Sequence, residues 1–67
     1  MATGTVKWFN ATKGYGFIAP ESGGKDVFVH ITALQQAGIS HLDDGQKVEY
    51  DLVSHRDRES AGNLKIA

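Results

Sequence analysis

Hydrophobic and polar residues alternate with period two in several short stretches of this chain. Val48, Tyr50 and Leu52 alternate with Glu49 and Asp51, which predicts a strand with one buried face. Leu64 and Ile66 flank Lys65 and predict another. In Asp26-Val27-Phe28-Val29-His30-Ile31, the residues Val27, Val29 and Ile31 fall on one face and Phe28 and His30 on the other, because successive strand side chains point to opposite sides. Tyr15 to Pro20 predicts a strand that ends at Pro20, which cannot donate a ladder hydrogen bond. Tyr15 and Phe17 share one face of it, Ile18 takes the other, and Gly16 adds no side chain between them. Thr5 to Asn10 predicts a first strand with Val6 toward the core. Trp8 and Phe9 are adjacent and cannot share a face in a regular strand, so a bulge or bend is expected near Phe9 or Asn10.

The intervening segments carry turn chemistry. Asn10 to Gly14, Ser22 to Lys25 and Asp43-Asp44-Gly45 each predict a turn or hairpin loop. Thr32 to Gln36 predicts a single helical turn with a threonine cap, stopped at Gly38 and too short to be a stable helix. Ser54 to Ser60 is wholly polar and predicts a loop. Five short strands and little helix make one all-β domain spanning residues 1–67, without internal repeats. A lone small sheet exposes its edges, so closure into a barrel is expected. A five-stranded antiparallel barrel of the OB-fold type fits the strand count and lengths, with an SH3-like barrel as the nearest alternative.

Composition narrows the function classes. With 67 residues and 40% hydrophobic content, the chain suits one small, marginally stable domain and not a disordered segment. It has no cysteine, which removes disulfides and thiolate metal sites. His30, His41 and His55 lack zinc-ligand spacing. The start Met1-Ala2-Thr3-Gly4 lacks the pattern of a signal peptide, and no apolar run approaches the roughly 20 residues of a membrane span, so a cytoplasmic location is expected. Gly14-Tyr15-Gly16 precedes no helix that could receive a phosphate. No acid–base pair suggests catalysis; the expectation is a non-enzyme without cofactor, metal or small-molecule substrate.

The net charge of −1 gives no global attraction to nucleic acid. Local basic residues and stacking have to supply the affinity. Tyr15, Phe17, Phe28 and His30 on neighbouring strands form a platform of flat side chains above an aliphatic layer, which is what sequence-tolerant recognition of unpaired bases requires. Trp8, between polar Lys7 and Asn10, is expected to be an exposed ring. Lys7 and Lys13 flank the rings and suit phosphates. Asp26 either accepts a hydrogen bond from a base amine or merely starts a strand. Arg56 and Arg58 alternate with Asp57 and Glu59, so they read equally as binding residues or as a self-neutralised solvated loop.

Three stretches carry a resemblance that covers essentially the whole chain. Gly4 to Asn10, Lys13-Gly14-Tyr15-Gly16-Phe17-Ile18 and Val27-Phe28-Val29-His30-Ile31 resemble the first strand and the two ribonucleoprotein motifs of the cold-shock domain family. The resemblance implies an OB barrel, binding of single-stranded RNA and DNA, and a role as RNA chaperone or regulator of gene expression. Carried over position by position, the implied binding surface is Lys7, Trp8, Phe9, Asn10, Lys13, Tyr15, Phe17, Asp26, Phe28 and His30. Ile31 and Ile39 stand where the family usually has aromatic residues, so the outer base sites lose their rings. Arg56 and Arg58 transfer only by neighbourhood. A monomer is expected.

Overall fold

The strands and one helix form in the order β1 (Ala2–Asn10), β2 (Tyr15–Pro20), β3 (Val27–His30), α1 (Ile31–Ala37), β4 (Lys47–His55) and β5 (Arg58–Ile66) in a computed structural model that describes residues 1–55 and 58–67. The sheet closes on itself as β1-β2-β3-β5-β4, a five-stranded barrel consistent with the OB-fold. It is mixed, which corrects the purely antiparallel expectation. β3 and β5 run parallel, with Phe28 opposite Ser60. The reason lies in the connections: α1 and the segment after it carry the chain away from β3, and the β4–β5 hairpin brings β5 back beside it in the same direction. Parallel neighbours need such a long crossover.

Val6, Phe9, Ile18, Val27, Val29, Leu34, Leu42, Val48, Tyr50, Ala61 and Leu64 fill the barrel. Burial of their apolar surface is the main favourable contribution holding so small a domain together. β1 meets this core in a way that simple alternation does not anticipate. Val6 pairs with Ile18, and the next partners are Trp8 and Phe17, so Lys7 is an extra residue on β1. An inserted residue reverses the phase of the side chains that follow it. Trp8 therefore points outward and Phe9 inward, where it is 9% exposed. The bulge lies before the ring pair, not near Phe9 or Asn10.

Phe9 needs room on β2, and Gly16 supplies it. A Cβ at Gly16 would collide with the Trp8 carbonyl oxygen and lie 2.7 Å from Phe9 Cα and 2.8 Å from its ring. A second irregularity falls between Glu49 and Asp51, where β5 carries Asn63 at φ 49°. The Asn63 amide donates to Asp51 Oδ2 at 2.8 Å. Asn is among the few residues that tolerate this conformation. The kink lets both Ala61 and Leu64 face the core.

The segment after β3 is a helix of two turns and not the single turn expected. Its cap is His30, in extended conformation, and not Thr32. Gly38, at φ 73°, closes the other end in the left-handed conformation. Seven residues would not hold a helix in water; Leu34, fully buried, anchors it to the barrel. The polar stretch from Ser54 is also more ordered than a loop. β4 runs on to His55 and β5 begins at Arg58, so the described part of it extends the hairpin. Leu52 and Val53 are exposed there because the hairpin arm has left the core behind.

Replacing Gly16 by Ala should destabilise the fold by about 1–3 kcal/mol or more, since β1 backbone and not a flexible side chain must move. Urea melts would show a lower midpoint at unchanged slope. Burial, and secondarily the Glu59 carboxylate, raises the Tyr50 phenol above its ordinary value. Its contribution to stability is complete below that ordinary value and is lost as pH rises through the raised one. Tyr50→Phe should therefore lose less stability than the parent as pH rises above the ordinary phenol value, followed by thermal melts.

Candidate nucleic-acid interface

The registers of β1, β2 and β3 set side chains in two cross-strand rows. Trp8 stands opposite Phe17, and Phe17 opposite Phe28. Asn10 stands opposite Tyr15, and Tyr15 opposite His30. Between them Phe9, Gly16 and Val29 form the inward row. The outer rows place five rings on one face. Trp8 lies 5.6 Å from Tyr15 and 5.4 Å from Phe17, both edge-on. Phe28 lies 5.8 Å from Tyr15, nearly parallel at 25°, and 5.8 Å from Phe17, edge-on. His30 lies 6.3 Å from Phe28. These spacings suit attractive ring pairs, so the rings support one another on the face. Tyr15, Phe17 and Phe28 are half-buried, while Trp8 and His30 are exposed.

His30 is held more firmly than an exposed histidine needs to be. Its Nδ1 accepts the Thr32 N–H at 3.2 Å and lies 3.0 Å from the Thr32 hydroxyl. With Nδ1 as acceptor, the neutral ring carries its proton on Nε2. The helix cap thus fixes both the ring's orientation and its tautomer.

Charges border the rings in pairs. Lys7 Nζ lies 3.1 Å from Asp26 Oδ2, an exposed contact worth about 0–1 kcal/mol. The bulge carries Lys7 to the β2–β3 loop, where Asp26 sits. Arg58 Cζ stands 5.1 Å from the centre of the Phe28 ring, within cation–π range. An open groove of about 870 Å³ runs over Tyr15, Phe17 and Phe28 and is walled by Lys25, Asp26, Arg58 and Glu59. Its four charged walls cancel, in keeping with the near-neutral chain.

Trp8, Tyr15, Phe17, Phe28 and His30, all expected from sequence, share one face, with Lys7, Asp26 and Arg58 around it. Asn10 stays at the edge, its Oδ1 accepting the Lys13 N–H at 3.0 Å and shaping the turn; both side chains are exposed. Phe9 is the correction: its ring lies in the core beneath the face. Ile31 and Ile39 are half-buried and rest against the core, so neither is a free surface group. The Ile31 N–H donates to the Gly14 carbonyl at 2.9 Å, tying α1 to the β1–β2 turn. Arg56 lies outside the described residues. Lys25, Ser54 and Glu59 line the groove although no local sequence pattern points to them. The hairpin folds Ser54 and Glu59 over Phe28, and only the β3–β5 pairing reveals that proximity.

Comparison with known proteins agrees with this architecture. The family model described as "'Cold-shock' DNA-binding domain" matches residues 2–67. A probable cold shock protein of Sinorhizobium fredii is 61% identical, with 97% of each chain covered. The cold shock protein CspA of Rhizobium meliloti is 54% identical over the whole of both chains. The cold shock-like protein CspE of Escherichia coli is 51% identical, covering 91% of this chain and 88% of its own. The family match spans nearly every residue described above, and the chain belongs to the cold-shock domain family.

Proposed function

We propose that this protein binds single-stranded RNA and DNA by stacking unpaired bases on the outer rings of β1, β2 and β3. The observation that carries this reading is the pair of ring rows, Trp8–Phe17–Phe28 and Tyr15–His30, held outward on three adjacent strands. Every base offers a π-face, so such a surface accepts many sequences. Lys7 and Lys13 meet phosphates, and a phosphate at Lys7 displaces Asp26 from its ion pair. His30 offers its Nε2–H to a base acceptor. Without net positive charge, stacking supplies most of the affinity, through contacts that are individually weak and quickly broken.

An RNA chaperone works in this manner. It captures strands that open spontaneously, delays their re-pairing and lets them go. It acts by binding alone, as a cytoplasmic monomer without cofactor or catalytic step. The relatives' names support a part in the response to cold, where RNA pairing becomes too stable.

Phe17→Ala and Phe28→Ala should each weaken binding of an oligothymidylate by about 1–3 kcal/mol, with far-ultraviolet circular dichroism unchanged. Phe9→Ala should instead destabilise the fold by about 3–5 kcal/mol, because its ring is in the core. Near-parental affinity in both platform variants would remove the stacking reading. Trp8 emission should fall on titration with oligonucleotide; an unchanged spectrum at saturation would place the bases elsewhere. Repeating the titration at two salt concentrations should give a shallow slope, about −0.7 per phosphate contact. A slope equivalent to many contacts would mean that charge and not stacking dominates.

A further inference from the structure

A second groove, of about 400 Å³, lies between α1 and β5 on the far side of Phe28. Its origin is topological. β3 ends at His30 and turns into α1, so β5 has its one matched partner on that side at Ser60. Beyond Ser60, β5 faces the helix and not a strand, and the seam between them stays open. His30, Thr32 and Gln36 line one wall and Ser60 and Gly62 the other, over an aliphatic floor that includes Ala33. Phe28 and Arg58 border this groove and the platform groove alike. The two grooves meet at Phe28, where the Arg58 guanidinium stands above the ring.

The geometry points to this α1–β5 groove as an additional nucleotide subsite, taking the next residue of the same single strand after the base stacked on Phe28. The inference rests on the binding function proposed above. Three observations favour that occupant. The groove adjoins the ring-bearing groove and shares Phe28 and Arg58 with it. Among the described residues lining it, Arg58 is the one cation and there is no carboxylate, whereas the platform groove carries two carboxylates, so an anionic strand meets less opposition here. Its polar side chains suit a base edge: Gln36 lines the groove together with Thr32 and His30, whose Nδ1 is committed to Thr32 in the helix cap and whose Nε2–H is left to donate. Arg58, at the junction, meets the phosphate that links the two nucleotides.

Amide chemical shifts followed during titration with oligothymidylates of four and of seven nucleotides would test this. With the longer strand, the amides of Phe17 and Phe28 should move together with those of Ala33, Gln36 and Gly62; with the shorter strand, only the first group should move at sub-stoichiometric ligand. Gln36→Glu places a carboxylate in the groove on an exposed helical position, and should weaken the longer strand on the order of fivefold while leaving the shorter one unchanged. Platform amides that respond to the longer strand while the groove amides stay still would overturn the subsite and leave the binding function intact. Silence of both groups would overturn the function itself. Groove amides that shift with protein concentration in the absence of nucleic acid would make this seam a contact between copies of the chain, and would also overturn the proposal.

Discussion

One extra residue at Lys7 decides which way β1 presents its two largest side chains. In an uninterrupted strand beginning with Val6 inward, Trp8 would follow it into the barrel and Phe9 would stand in water. The insertion reverses that phase, so the indole joins Phe17 and Phe28 outside while the phenyl ring fills the barrel. Gly16 is the complement on β2: only a residue without a Cβ lets the Phe9 ring and the β1 backbone come so near. The bulge and the glycine therefore act as one device. Either alone would leave a void or a clash, and overpacking at such a site moves backbone, not just a rotamer.

The same insertion sets the electrostatics. It aims Lys7 at Asp26 across the mouth of the ring face. Arg58 is aimed at the face from the opposite border by the β4–β5 hairpin. Both cations are occupied in the unliganded protein, one by a carboxylate and one by a π-face, through contacts of modest strength. Charge is thus kept close to the rings without an excess that would hold any polyanion indiscriminately.

α1 ties the parts together. His30 belongs to the ring face and to the helix cap at once, Leu34 anchors the helix in the core, and Ile31 links it to the turn that precedes Tyr15. A disturbance of the helix would therefore reach the ring face through the orientation of His30. The helix also takes the place a strand would have occupied beside β5, and so leaves the adjoining seam open.

Alternation alone disclosed that β2 and β3 each have an aromatic and an aliphatic side, because strand period is a local property of consecutive residues. The same logic exposed the outward rings Tyr15, Phe17 and Phe28, the turn residues and the barrel. The adjacent rings Trp8 and Phe9 announced a bulge, but its place at Lys7, and with it the inward turn of Phe9, is fixed by the register against the neighbouring strand. Local pattern also shortened α1 and β5: Leu34 holds a helix that its own length could not, and the hairpin arm is stabilised by pairing across strands, not by burial of its side chains. The parallel pairing of β3 with β5, the placing of Arg58 over Phe28 and the seam beside the helix were decided by tertiary structure only. Each depends on residues far apart in the chain becoming neighbours, and that follows from how the barrel closes.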